Sequence, residues 1–154
     1  MQRDRFLTGI LVGIAALIVL ALALFFLRRG TDRYMDEATP AGVINNYVLA
    51  LQQQEYERAY SYLADSPSKP ALAQFQQSFL GGQQQAISRT AVDIGDIATA
   101  NGDQTATVQL VLLETSGGLF SETRRSSQTA TLVKQEGQWK IASGPYPIWS
   151  FYYD

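Results

Sequence analysis

The sequence predicts an α+β domain carried behind an N-terminal transmembrane helix, with three helices packed on a four-stranded antiparallel sheet. Three observations carry this reading. Phe6 to Leu27 is an uninterrupted run of 22 uncharged residues. Apolar residues then recur at helical spacing between Val43 and Phe79, and after residue 86 the pattern changes to the two-residue alternation of half-buried strands. The 154 residues leave room for one ordinary domain behind the leader.

Fifteen of the 22 leader residues are Leu, Ile, Val or Phe. A helix of that length spans about 33 Å, enough for a ~30 Å hydrocarbon core. Those residues favour insertion by about 5 to 9 kcal/mol. The run is longer than a cleavable signal core and ends in Phe25-Phe26-Leu27-Arg28-Arg29 rather than in small residues, so an uncleaved anchor is expected. Gly9 and Gly13 form a G-x-x-x-G that would let two such helices approach closely, although glycine is common in membrane helices generally. The organisation expected is a short tail over 1–5, the span over 6–27, a tether over 28–38 and the domain over 39–154.

Thr39-Pro40 marks a helix start, with a capping hydroxyl followed by proline at the first helical position. Val43, Ile44, Tyr47, Val48 and Leu51 then draw one stripe. Gln52–Gln54 interrupts it, and Tyr56, Ala59, Tyr60 and Leu63 draw a second. Pro67 and Pro70 break the chain before a third short helix with Leu72, Phe75 and Phe79 on one face, closed by Gly81-Gly82. Four strands follow. The first runs from Ile87 to Ala100 and turns at Asn101-Gly102-Asp103. The second, Gln104 to Glu114, alternates Ala106, Val108, Leu110 and Leu112 with polar residues. Val111 and Leu113 break that alternation and suggest cover on both faces at that end. The third runs from about Ser121 to Gln135, and Glu136-Gly137 turns the chain into a last strand at Gln138.

Composition narrows the chemistry. No cysteine and no histidine means no disulfide, no thiol nucleophile, no lipidated cysteine, and neither the usual general base nor the commonest metal ligand. Residues 1–33 hold five Arg and two Asp, net +3, which leaves seven basic and twelve acidic residues beyond them, net −5. An acidic domain argues against nucleic acid as partner. Asp93 and Asp96 are three apart in a strand, a spacing that points side chains to opposite faces and prevents a shared site. No acid, base and oxyanion-donor set can be assembled, and no cofactor or metal is expected. Tyr47, Tyr60, Phe75, Phe79 and Trp139 lie on stripes that converge under the sheet and are either core or pocket lining. The tail is unusual: Tyr146, Trp149, Phe151, Tyr152 and Tyr153 make five aromatics in the last nine residues. They either fold back over the sheet or face a partner protein or the membrane interface. Arg124-Arg125 reads as a solvated strand face rather than an anion site.

The helix pair TPAGVINNYVLALQQQEYERAYSYL and the closing TATLVKQEGQWKIA resemble the opening and final hairpin of nuclear transport factor 2-like domains, over about residues 39–143. The resemblance implies a cone with a pocket between helices and sheet. It points to small bacterial membrane-anchored or lipid-anchored proteins of that type, whose domain lies outside the cytoplasmic membrane. Charge alone does not orient the span, since Arg3 and Arg5 are nearly balanced by Arg28, Arg29 and Arg33. The function expected is a single-pass, membrane-anchored, non-catalytic binding or scaffold module of the cell envelope. Its partners would be lipid through residues 6–27 and a protein or a second copy. The alternatives are a subunit of an envelope or secretion complex, and a small cone-pocket enzyme of isomerase or dehydratase type.

Overall fold

A computed structural model describes residues 10, 12–21, 33–67, 69–80, 82–115 and 122–149. The chain divides into two compact units, Met1–Arg33 and Tyr34–Asp154. In the first, residues 12–21 are helical (α1). The large apolar side chains Ile10, Val12, Ile14, Leu17, Ile18, Val19 and Leu20 are all exposed. Among the described residues no helix is long and apolar enough to cross a membrane. Much of the expected span, Gly9 included, lies outside the described residues; Gly13 lies in α1, with open space around it.

The second unit is built around α2, Pro40–Gln52. Thr39 Oγ1 accepts from the Gly42 amide at 3.1 Å and Pro40 occupies the first turn, as the sequence predicts. Nine of the thirteen residues of α2 are buried, so it is a central helix rather than a surface one. Three short helices follow: α3 (Tyr56–Ser61), α4 (Leu72–Ser78) and α5 (Gly82–Ser88). The last corrects the expected count. Gly82 opens a new helix where Gly81-Gly82 was expected to close the α-helical part, and Ile87 is buried on α5 rather than in a strand. Its run Gly-Gln-Gln-Gln-Ala-Ile-Ser carries too little apolar pattern to reveal a helix.

The sheet is a meander in the order β1-β2-β3-β4, all pairs antiparallel: Thr90–Ala100, Thr105–Thr115, Thr123–Gln135 and Gln138–Ser143. Ala106, Val108, Leu110 and Leu112 of β2 are buried and set the inner face. Ala130 and Leu132 of β3, then Trp139 and Ile141 of β4, continue it. Val111 and Leu113 are half-buried on the opposite face. Glu136 and Gly137 both adopt left-handed φ, 51° and 80°, as a two-residue hairpin between Gln135 and Gln138 requires. Leu63 adds a parallel bridge to Ile141, which ties the end of α3 to the sheet.

A bulge lies between Ile94 and Ile97, where three steps along β1 match two along β2. It moves the inner-facing set of β1 from even to odd residues. The expectation that Asp93 and Asp96 point to opposite faces assumed an unbroken strand, so it does not apply. Both are exposed.

Candidate functional site

The five aromatic residues expected to converge divide into three groups, and each fills space. Tyr60, Phe75 and Phe79 form an edge-on ladder, with ring centroids 5.5 and 4.9 Å apart, and Tyr56 stacks on Phe79 at 6.2 Å. The tyrosine tips are satisfied within the chain. Tyr60 donates to Pro70 O at 2.8 Å, and Tyr56 donates to Gln84 Oε1 at 3.0 Å. Burial raises the Tyr56 pKa. Tyr47 lies apart from this ladder, against Trp149, and donates to Ile148 O at 2.7 Å. Trp139 sits at the other end of the sheet with the Lys134 ammonium over its ring. Apart from the tyrosines, the buried polar residues among those described are Asn46 and Thr90, neither titratable.

Ile148 and Trp149 are 3% and 8% exposed and belong to the core, so this part of the tail folds back on its own domain. Trp149 is therefore packed inside rather than offered to a partner. Gln83 of α5 donates to Pro147 O at 3.0 Å and holds the same stretch from the other side. Tyr146 is 57% exposed. Phe151, Tyr152 and Tyr153 lie outside the described residues.

Residues 34–37, which the sequence assigns to a tether, are bonded to the domain. The Asn46 side chain makes a two-way bond with Met35, accepting from its amide at 2.6 Å and donating to its carbonyl at 2.9 Å. A Cβ at Gly42 would collide with the Asp36 carbonyl, so only glycine permits this close approach. The Arg58 guanidinium lies 3.2 Å over the Tyr34 ring. Its Nε donates to Tyr62 Oη at 3.2 Å, and Tyr62 in turn donates to Glu37 at 2.7 Å. Tyr34 donates to Glu55 at 2.6 Å. Burial first, and this bond second, push the Tyr34 pKa up to about 12. Tyr62 is also raised, chiefly by burial. Neither Asn46 nor Arg58 stands out in a hydropathy scan; an asparagine two residues from Ile44 inside an apolar stripe is the one available signal.

Two clefts flank the sheet. One, of about 470 Å³, lies beside Trp139 and is bordered by Glu37, Tyr62, Gln138 and Lys140. The other, of about 440 Å³, lies where α5 meets the sheet. Ala86, Arg89 and Thr90 form one wall, and Glu114, Thr115, Glu122 and Arg124 form the other, with Tyr146 at the rim. The Thr115 amide donates to Arg89 O at 3.2 Å and fixes the two walls together. Among the described residues, no three His, Cys, Asp or Glu side chains are grouped so as to hold a metal ion.

No protein-family model matches this chain, and no curated protein matches it. Several solved structures are similar. A SEC-C motif-containing protein of Rhodopseudomonas palustris matches with a TM-score of 0.50 and 10% identity, over 72% of this chain and 80% of its own. A protein of unknown function from Mycobacterium tuberculosis has a TM-score of 0.47 and 18% identity, over 66% and 64% of the two chains. An NTF2-like protein with a cystatin-like fold from Novosphingobium aromaticivorans has a TM-score of 0.46 and 14% identity, over 80% and 83%. At such identities the likeness concerns the fold alone.

Proposed function

We propose that this chain is a nuclear transport factor 2-like domain anchored by a single membrane span over residues 6–27. It acts outside the cytoplasm as a non-catalytic binding or scaffold module of the cell envelope. The observation that carries the non-catalytic reading is the filled interior. Tyr47, Phe75, Phe79, Leu110 and Leu112 close the space between helices and sheet, each at most 1% exposed. A cone-pocket enzyme would keep that space open and place a tuned carboxylate in it. The exposed apolar side chains of α1 support the anchor, because a helix apolar on every side is suited to lipid. Protease added to intact cells, with any outer membrane first made selectively permeable, should digest the domain while the leader stays in the membrane fraction. Protection in those cells that vanishes only on opening the cytoplasmic membrane would overturn the orientation. Turnover of a small molecule by the purified protein, abolished by one carboxylate-to-amide substitution, would overturn the non-catalytic reading.

A further inference from the structure

We infer that the cleft beside Trp139 binds a short uncharged peptide segment through its backbone amide groups. The inference rests on the reading of the domain as a binding module and names the class of ligand. Trp139 borders the cleft and is only 5% exposed. An indole N–H can donate but not accept, and when buried it is normally paired. Among the described residues that of Trp139 meets no acceptor. The polar group beside the ring is the Lys134 ammonium, 5.1 Å from its centroid and itself a donor. An acceptor can therefore reach the indole only from the open volume that Trp139 borders. Glu37 borders the same volume. Tyr62 and Asn46 donate to its Oε1, at 2.7 and 3.5 Å, and among the described residues nothing donates to its Oε2. One buried neutral donor and one open carboxylate oxygen are the complement of a C=O and an N–H, and a peptide amide presents both. Ala38 and Gly137, also at the border, carry little or no side chain, so a backbone can come close. A sugar ring would need an open aromatic face to stack on. Trp139 and Tyr62 are each 5% exposed, and Lys134 lies over the indole, so the cleft has none. A volume of about 470 Å³ accommodates a segment of a few residues.

The test is titration of the full-length protein in detergent micelles, read from the indole N–H signals of its two tryptophans by nuclear magnetic resonance. The probes are trialanine acetylated at one end and amidated at the other, the same molecule with esters in place of its internal amides, the disaccharide of N-acetylglucosamine, and inorganic phosphate. The blocked peptide should bind and slow solvent exchange of the Trp139 indole proton, with Trp149 as internal reference. The ester form should bind at least about tenfold more weakly. Trp139→Phe keeps an aromatic body, identifies the signal by its loss, and should weaken the peptide at least about tenfold. Glu37→Gln retains an oxygen for Tyr62 and Asn46. It should weaken the peptide and leave the ester form unaffected, which separates a site effect from misfolding. No binding by the peptide would overturn the inference, as would an unmoved Trp139 signal on binding, or the ester, disaccharide or phosphate binding as tightly. None of those results bears on the anchor or its orientation, which the protease experiment decides. Hydrolysis of the bound peptide, lost in Glu37→Gln, would support the cleft and overturn the non-catalytic reading instead.

Discussion

Residues 34–37 and residues 146–149 both fold back onto α2, the first through polar bonds and the second mainly through buried apolar surface. Their anchors are neighbours. Asn46 holds Met35 at both backbone groups, and Tyr47 holds Ile148 while its ring meets Trp149. The N-terminal contact depends on geometry: a two-way amide bond, a glycine that lets a carbonyl approach, and an arginine stacked on a phenol. Its charged members remain partly exposed, with the Arg58 side chain at 40%, so their ion pairs contribute little. The C-terminal contact depends on area removed from water, which is less exacting and stabilises more. The domain thus secures these two segments by different physics.

The largest way to break the comparison is Trp149→Ala. Truncating a large buried aromatic should cost about 3 kcal/mol in urea denaturation. A loss below about 1 kcal/mol would mean that the tail contributes no core. Asn46→Leu comes next, at about 2 kcal/mol, because it strands the Met35 amide and carbonyl while keeping bulk. If that variant is as stable as the wild type, residues 34–37 are held by something else. Gly42→Ala sharpens the contrast by sign. Alanine ordinarily gains about 1 kcal/mol over glycine within a helix. Here the collision with the Asp36 carbonyl should turn the gain into a net loss, measured by melting temperature. The smallest effect is alkaline. Tyr34 holds its proton to about pH 12 when folded, against an ordinary pKa of 10.0. Because the folded value is raised, its stabilising contribution is complete below pH 10 and is lost as pH climbs from 10 to 12. Tyr34→Phe should therefore lose stability less steeply than wild type across that window, and equal slopes would sink the assignment.

The elements that follow from periodicity were legible in the sequence. Thr39-Pro40 and the Val43–Leu51 stripe locate α2, the alternation from Ala106 to Leu112 locates β2, and Asn101-Gly102 and Glu136-Gly137 mark their hairpins. What stayed hidden lacks a period. Helix α5 is three glutamines and one buried isoleucine. The β1 bulge is one extra residue, marked only by Gly95 inside the strand, and it undid the parity argument for Asp93 and Asp96. The aromatic tail announced that it must be tied down but not where, since a contact between Tyr47 and Ile148 spans 101 residues. The cleft beside α5 was half visible. Arg124 drew attention as a strand residue, whereas Arg89, brought beside it by α5, did not.

The adjacency of Asn46 and Tyr47 has a mechanical consequence. Tension applied through residue 33 is delivered by way of Met35 to the middle of α2, not to a free edge of the sheet. The same turn of helix receives whatever strain arrives through Trp149. Pulling at residue 33 or at residue 149 therefore loads the domain's most buried helix.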